Sequence, residues 1–287
     1  MNLHQVFLEL TQLLYPPRCE VCNVLGPEVL CATCREDVVP VGEDLCATCG
    51  VPFMPNTRHP DTCADCRGRE RPWAFASARA YGLHCGALRR AIIRYKFDNR
   101  TQLAPVLAVM LAEAYRATAL PSVGTLSRTR PDAANGNRAL ESAPTERLEQ
   151  RPDAIIPAVL HPARKKWRGF DQALLLSRHL GKRLDLPVWE DVLRRVKHTR
   201  PQIELTPAQR LENLRGAFEA RETGRLAGAN VILVDDVFTT GATLQAAAAA
   251  LKRGGAAAVR AVTVTHAVPP WHPAALSGDP PENSGRR

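Results

Sequence analysis

At 287 residues, with 45% hydrophobic and 23% charged side chains, the chain has room for about two domains and the composition of a folded protein with a buried core. Its net charge of +9 favours anionic partners such as phosphates or nucleic acid. No run approaches the roughly 18 apolar residues of a membrane span, and the N-terminus has neither a basic leader nor a small-residue cleavage site, so the sequence points to a cytoplasmic protein.

In chain order, Leu3, Phe7, Leu10 and Leu14 recur at helical spacing, interrupted by Gln5, Glu9 and Gln12, and predict a short amphipathic helix. Eight of the nine cysteines then form four Cys-x-x-Cys pairs: Cys19 and Cys22, Cys31 and Cys34, Cys46 and Cys49, Cys63 and Cys66. Two such pairs supply four thiolates to one tetrahedral zinc and leave no open position for catalysis, the pattern of a structural site. Serial pairing gives two zinc ribbons, Cys19/Cys22/Cys31/Cys34 and Cys46/Cys49/Cys63/Cys66, and crossed pairing of the same knuckles satisfies the same chemistry. Disulfides are the competing reading, disfavoured because a cytosolic chain keeps its thiols reduced. His59 is a spare ligand by type, and the unpaired Cys85 reads as a small buried side chain. Zinc in this setting contributes about 10–16 kcal/mol of folding energy per site, so residues 1–70 form a unit expected to unfold without metal.

From Trp73 to Lys96 the text predicts one or two strands and then a helix carrying Leu88, Ile92 and Ile93. The basic residues Arg89, Arg90, Arg94 and Lys96 on that helix read either as a solvated face or as an anion-binding one. Residues 102–119 predict another helix. Residues 121–152 contain no aromatic side chain and four prolines, and read as a disordered insertion inside a domain spanning 71–268. Ala154–Leu160 predicts a buried strand that runs into a basic loop with Arg164, Lys165, Lys166 and Arg168. A helix over 172–184 follows, with Leu174, Leu175, Leu176 and Leu180 as its core stripe. Residues 193–218 are polar at their centre, have Thr206 and Pro207 as a helix start, and resemble a lid. A strand from Val231, a helix to about Arg253 and a strand over 258–266 complete the domain, and 269–287 reads as a disordered tail.

The stretch VILVDDVFTTGAT, Val231 to Thr243, organises the rest. Its apolar run is that of a parallel strand covered on both faces. Asp235 and Asp236 fall at the strand's carboxyl end, where open α/β sheets bind ligands. Thr239, Thr240, Gly241, Ala242 and Thr243 then make a small-residue turn into a helix, whose backbone N–H groups and positive end hold phosphate. The alternatives are simple helix capping and the acidic strand end of a P-loop ATPase. No G-x-x-x-x-G-K-[ST] occurs in the chain, which removes the second. Helix capping stays open beside ribose recognition, in which two acceptor-only carboxylates take vicinal hydroxyls and the turn takes a 5-phosphate.

This stretch resembles the phosphoribosyl pyrophosphate (PRPP) motif of type I phosphoribosyltransferases. With the knuckles at 19–66, YGLHCGALRRAIIRYKF, LHPARKKWRGFDQA, HTRPQ and RLENLRGAF in the same order, the chain resembles the ComF family of competence-associated proteins over about 15–266. The resemblance implies an α/β fold of the type I phosphoribosyltransferase class, a parallel-rich twisted sheet flanked by helices, behind an N-terminal double zinc ribbon. It implies that Asp235 and Asp236 bind the ribose hydroxyls, and are the catalytic residues if the chain turns over; that Thr239 to Thr243 bind the 5-phosphate; and that magnesium bridges pyrophosphate and ribose. Lys96, Arg164, Lys165, Lys166 and Arg168 are the candidates for pyrophosphate charge. Two positions depart from the family pattern: Ile156-Pro157-Ala158-Val159 replaces Val-Pro-Val-Pro, and Asp171 replaces an Asn beside the pyrophosphate. The implied role is in DNA uptake, with PRPP, single-stranded DNA and the uptake machinery as partners. Three activities stay open: phosphoribosyl transfer, a non-catalytic single-stranded-DNA adaptor on the same scaffold, and nucleobase salvage.

Overall fold

The computed structural model of the chain describes residues 16–55, 60–119, 151–197, 209 and 213–276. The expected N-terminal helix, His59, nearly all of the 121–152 insertion, Thr206, Pro207 and residues 277–287 lie outside these. Two short helices, α1 (Ala32–Glu36) and α2 (Ala64–Arg67), each start directly after a knuckle cysteine, with Cys31 and Cys63 as their N-caps.

The sheet contains β1 (Ser77–Leu83), β2 (Ala154–Pro157), β5 (Asn230–Phe238) and β6 (Ala258–His266) in the order β1-β6-β5-β2, every pair parallel. Between them run α3 (Gly86–Phe97), a 3-10 turn at Thr101–Leu103, α4 (Ala104–Ala119), α5 (Pro162–Arg168), α6 (Gln172–Leu184), α7 (Thr223–Leu226) and α8 (Ala242–Arg253). A small antiparallel hairpin, β3 (Leu193–Arg195) with β4 (Phe218–Ala220), stands apart from the sheet, and α9 (Pro273–Leu276) is one helical turn within the stretch expected as tail.

Period-two alternation explains why the strands read as unbroken apolar runs. On β5, Val231 and Leu233 point into a core built with α8 and the hairpin, while Ile232 and Val234 point into a second core built with α3, α4 and α6. The α6 stripe differs in detail from the expected leucines. Leu176 and Leu180 are fully buried, but Leu174 and Leu175 are only partly covered, and Gln172, Ala173, Ser177 and Gly181 complete the buried face.

β1 is an edge strand, and an open edge is a pairing hazard. Here the N-terminal region covers it. Leu83 N–H donates to Val39 O at 2.8 Å and Pro40 bridges Gly82 antiparallel, while Ala78 N–H donates to Thr48 O at 2.7 Å. The knuckle regions therefore pack as part of the same structure: Cys46 and Cys49 belong to the α8-side core, and Cys19 and Cys34 to the other.

Candidate functional site

The four cysteine pairs close serially, not crossed. The Sγ atoms of Cys19, Cys22, Cys31 and Cys34 lie within 4.8 Å of one another, as do those of Cys46, Cys49, Cys63 and Cys66. Sulfurs about 2.3 Å from one tetrahedral zinc stand roughly 3.8 Å apart, whereas a disulfide brings them to about 2.05 Å. The observed separations are 3.6 Å for Cys22–Cys31, 3.7 Å for Cys46–Cys66 and 3.6 Å for Cys49–Cys63, so the clusters fit a metal. Backbone N–H groups are aimed at the sulfurs, from Cys31 to Cys19 at 3.4 Å and from Cys63 to Cys46 at 3.3 Å, which favours thiolate. The side-chain hydrogen bond with Cys49 pulls Cys46 down to about 4 and pushes Cys49 up. Both tetracysteine clusters thus have the count, spacing and polarity of zinc-ribbon sites.

The second cluster is joined to the turn at residues 239–243 by an aromatic stack. Trp73 Nε1–H donates to Cys66 Sγ at 3.2 Å, and the Trp73 ring stacks on Phe75 at 4.8 Å and meets Phe238 edge-on at 6.1 Å. Phe238 stacks in turn on His266, with ring centroids 4.6 Å apart. Gly241 sits on this stack with φ +71°. A Cβ there would come within 2.7 Å of Phe238 and 2.8 Å of Trp73, so only glycine fits. Gly241 is the N-cap of α8, a helix of 12 residues whose positive end faces the tip of β5. Ala74 N–H donates to Gln245 Oε1 at 2.8 Å and ties the same segment to the helix's first turn.

The alternation that builds the two cores also divides the carboxylates. Asp236 follows Val234 towards α3, where Lys96 Nζ meets its Oδ1 at 3.0 Å. Asp235 follows Leu233 towards the hairpin, and its charge is felt by the buried Arg195 of β3. Asp236 N–H donates to Asp235 Oδ1 at 2.9 Å. Burial, and then the adjacent Asp236, raises the Asp235 carboxyl to about 8, with Lys96 and Arg195 opposing. A carboxyl held so far from its ordinary range is under demand for cationic or donor ligands.

The basic stretch 164–168 is the helix α5 rather than a loop; His161 accepts from Ala163 N–H at its start, and Gly169 closes it in the left-handed region at φ +81°. The helical turn divides its charges. Arg164 and Arg168 are half-buried and electrostatically coupled to each other, and Arg168 also feels Asp236, Asp171 and Asp235. Lys165 and Lys166 are exposed. Arg168 stacks over Phe97 at 4.9 Å and donates to Gln172 Oε1 at 3.1 Å. Thr239 is exposed, Gly241 and Ala242 are buried, and Thr240 and Thr243 lie between. Among the described residues Thr240 Oγ1, Arg168 Nε and Gln172 Nε2 are buried donors without a partner. The orphaned donors of Thr240, in the turn before α8, and of Arg168, coupled to both carboxylates, suit a ligand that carries both hydroxyl and anionic groups.

Two expectations change. Of the basic residues on α3, Arg90 pairs with Asp37 at 2.7 Å and Arg94 donates to Glu20 O at 3.2 Å and Asn23 Oδ1 at 2.9 Å, so these two hold the first ribbon, while Lys96 is placed at the carboxylates. Asp171, the substitution beside the anion side of the site, is a latch. Its Oδ1 accepts from Leu174 N–H at 3.1 Å as the N-cap of α6, and its Oδ2 accepts from Leu160 N–H at 2.8 Å, joining the loop after β2 to the helix. Burial pushes the Asp171 carboxyl up, and those two backbone bonds oppose it. Arg195 is a site residue that the sequence did not announce.

The comparisons agree with this geometry. Residues 10–67 match the double zinc ribbon domain family and residues 171–270 match the phosphoribosyl transferase domain family. Competence protein F of Haemophilus influenzae is 30% identical over 227 residues, 79% of this chain and 85% of that one. DNA utilization protein YhgH of Escherichia coli is 28% identical over 252 residues, 85% of this chain and 95% of that one. Competence protein ComFC of Bacillus subtilis is 26% identical over 242 residues, 83% of this chain and 84% of that one. An α/β phosphoribosyltransferase-type domain behind a double zinc ribbon, alike along most of both chains, places this protein in the ComF family.

Proposed function

We propose that this chain binds PRPP with magnesium at the tip of β5 and serves the handling of incoming DNA. One observation carries the ligand: Asp235 and Asp236 lie two residues short of the end of β5, ahead of the glycine-capped start of α8, with Lys96 paired to Asp236 and with Arg168 and Arg195 electrostatically coupled to the carboxylates. The carboxylates are placed to accept from the ribose hydroxyls, Thr239 to Thr243 to hold the 5-phosphate, and the guanidinium and ammonium groups to receive the pyrophosphate. The donor set around Asp235 and Asp236 is all oxygen, which suits a hard divalent cation, and Lys96 at 3.0 Å from Asp236 already supplies positive charge there. Magnesium, when bound with the ligand, neutralises pyrophosphate charge.

The DNA role rests on the relatives named competence protein and DNA utilization protein. The two thiol-rich clusters need a reducing compartment, which favours the cytoplasm, and no helix among the described residues is long and apolar enough to cross a membrane. Calorimetry tests the ligand: magnesium-dependent PRPP binding is expected, and it is expected to be lost in Asp235→Ala and Asp236→Ala. Binding that is absent, or indifferent to both substitutions, sinks the assignment. Pyrophosphate release with one member of a nucleobase panel would make the protein a transferase, and binding without release would make it a PRPP-responsive adaptor.

A further inference from the structure

Among the described residues the exposed large apolar side chains are Val24, Leu25, Met54, Phe97 and Trp167, and only the last two are aromatic. They stand together. Phe97 is the last residue of α3 and Trp167 the penultimate residue of α5, and their rings meet edge to face at 6.5 Å. Trp167 is 72% exposed and Phe97 47%. Burial does not explain an indole so placed, since it gives up the stabilisation of an apolar ring removed from water.

Position and charge say what it faces. Phe97 directly follows Lys96, whose Nζ is 3.0 Å from Asp236, so its Cα stands about 3.8 Å from that of the residue paired with the carboxylate site. Arg168 lies between the two regions. Its guanidinium carbon is 4.9 Å from the Phe97 ring centroid and 6.0 Å from that of Trp167, and its charge is coupled to Asp236 and Asp235. Arg168 is held in place by Gln172 Oε1 at 3.1 Å. Lys165 and Lys166, the two residues before Trp167, are exposed. Exposed rings flanked by cations are how proteins hold unpaired nucleobases: the base stacks on the ring and the cations take the attached phosphates.

We propose that Trp167 and Phe97, braced by Arg168, form a stacking platform for a nucleobase at the rim of the carboxylate site. The assignment rests on the ribose-site reading for the orientation of the ligand, and supplies the base-facing element that the sequence did not show. The base has two sources, a free acceptor base beside bound PRPP or a base of a single strand crossing the rim.

The test uses the full-length zinc-loaded protein, with Trp167→Leu, Trp167→Phe and Phe97→Leu beside it. The probes are free nucleobases with and without PRPP and magnesium, an oligothymidine, and an abasic oligomer of equal length and charge. Stacking is worth about 1–3 kcal/mol per base, so Trp167→Leu is expected to weaken base-bearing probes roughly 5- to 100-fold, with Trp167→Phe near wild type. The abasic oligomer is expected to bind more weakly and to ignore the substitutions. Binding of free base only with PRPP present identifies an acceptor subsite, and binding of oligothymidine without PRPP identifies a strand path; either supports the platform. Equal affinity for abasic and base-bearing oligomers, no loss in Trp167→Leu, or no binding of any base-bearing probe by the wild type overturns it. Trp167→Leu is also titrated with PRPP alone, where affinity close to wild type is expected. Loss of PRPP binding in the wild type would instead strike the proposed function and leave the stacking comparison readable.

Discussion

Around the first tetracysteine cluster, the polar links to the rest of the chain are charged and partly exposed. Arg94 reaches Glu20 O and Asn23 Oδ1, Arg100 meets Glu20 at 3.3 Å, and Arg90 meets Asp37 at 2.7 Å, with Val21 and Leu30 buried beneath them. Around the second cluster the links are partly buried and lead to the candidate site. Arg79 donates to Cys46 O at 3.3 Å and Ala47 O at 3.0 Å, a Cβ on Gly50 would come within 2.4 Å of Ala78 O, and Trp73 bridges Cys66 to Gly241. Two sites with one ligand set therefore hold different things. The first braces α3 from outside, where exposed ion pairs contribute only about 0–1 kcal/mol each. The second forms part of the floor under the turn at residues 239–243.

The sharpest way to break this contrast is to remove one ligand from each ribbon. Cys49→Ser and Cys31→Ser should each lower zinc content by about one per chain, measured by elemental analysis. Cys49→Ser is expected to abolish a cooperative melt and cost PRPP affinity at least ~30-fold, whereas Cys31→Ser keeps it within about threefold. Equal losses in the two variants would mean that the ribbons are equivalent supports.

A smaller effect is expected from the bridge itself. Trp73→Leu removes a partly buried ring stacked on Phe75 and should lower stability by about 2–4 kcal/mol by denaturant titration. Zinc content is expected to stay near two while PRPP binding weakens about tenfold through the displaced turn. Unchanged PRPP affinity would show that the stack supports the fold without positioning the turn.

The electrostatics of the site can be separated from that packing by pH. Asp235 sits near 8 in the folded protein against an ordinary 3.8. The folded state therefore binds this proton more tightly than the unfolded chain does. Ionising it costs nothing at low pH, and the cost grows as pH rises through the interval and is complete above about 8. Asp235→Asn should gain on the wild type between about pH 5 and 8, reaching roughly 2–4 °C in Tm after allowance for partial exposure, while losing PRPP binding. A constant offset across that range would place the carboxyl's titration elsewhere.

The smallest effect belongs to the first ribbon's latches. Arg94→Ala should cost under about 1 kcal/mol, and part of that cost should disappear in high salt. A salt-independent loss above that would make the latch a buried support after all.

How far the sequence could be read follows from the range over which each signal acts. Cysteine pairs two residues apart, a buried strand carrying Asp235 and Asp236, and helices such as 172–184 are local patterns, and they were legible, although the strand runs two residues past the carboxylates to Phe238. The basic residues were legible as charge, but not as geometry: one helical turn couples Arg168 to the carboxylates, half-buries Arg164 and leaves Lys165 and Lys166 exposed, while Arg90 and Arg94 face a ribbon made of much earlier residues. Arg195 was missed because its strand has only three residues, and its partner, Phe218, lies across a long intervening stretch. Trp73 read as an aromatic near a strand, and nothing local joined it to Cys66 on one side and Gly241 on the other. Asp171 looked like an unwanted charge until its two backbone donors were in view.

The strand order also sets a sequence of events during synthesis. β1, the first strand made, has only β6 as its sheet partner, and β6 is the last made. The cysteine knuckles close over short stretches and can take up metal while most of the chain is still unmade, whereas the sheet waits for residues 258–266. Contacts of such separation are slow to form. During that interval one side of β1 has its cover from residues 39–48, and the other stays open to mispairing. Metal shortage while the chain is being made would then open both sides at once, and lost yield of native protein would precede any loss of binding.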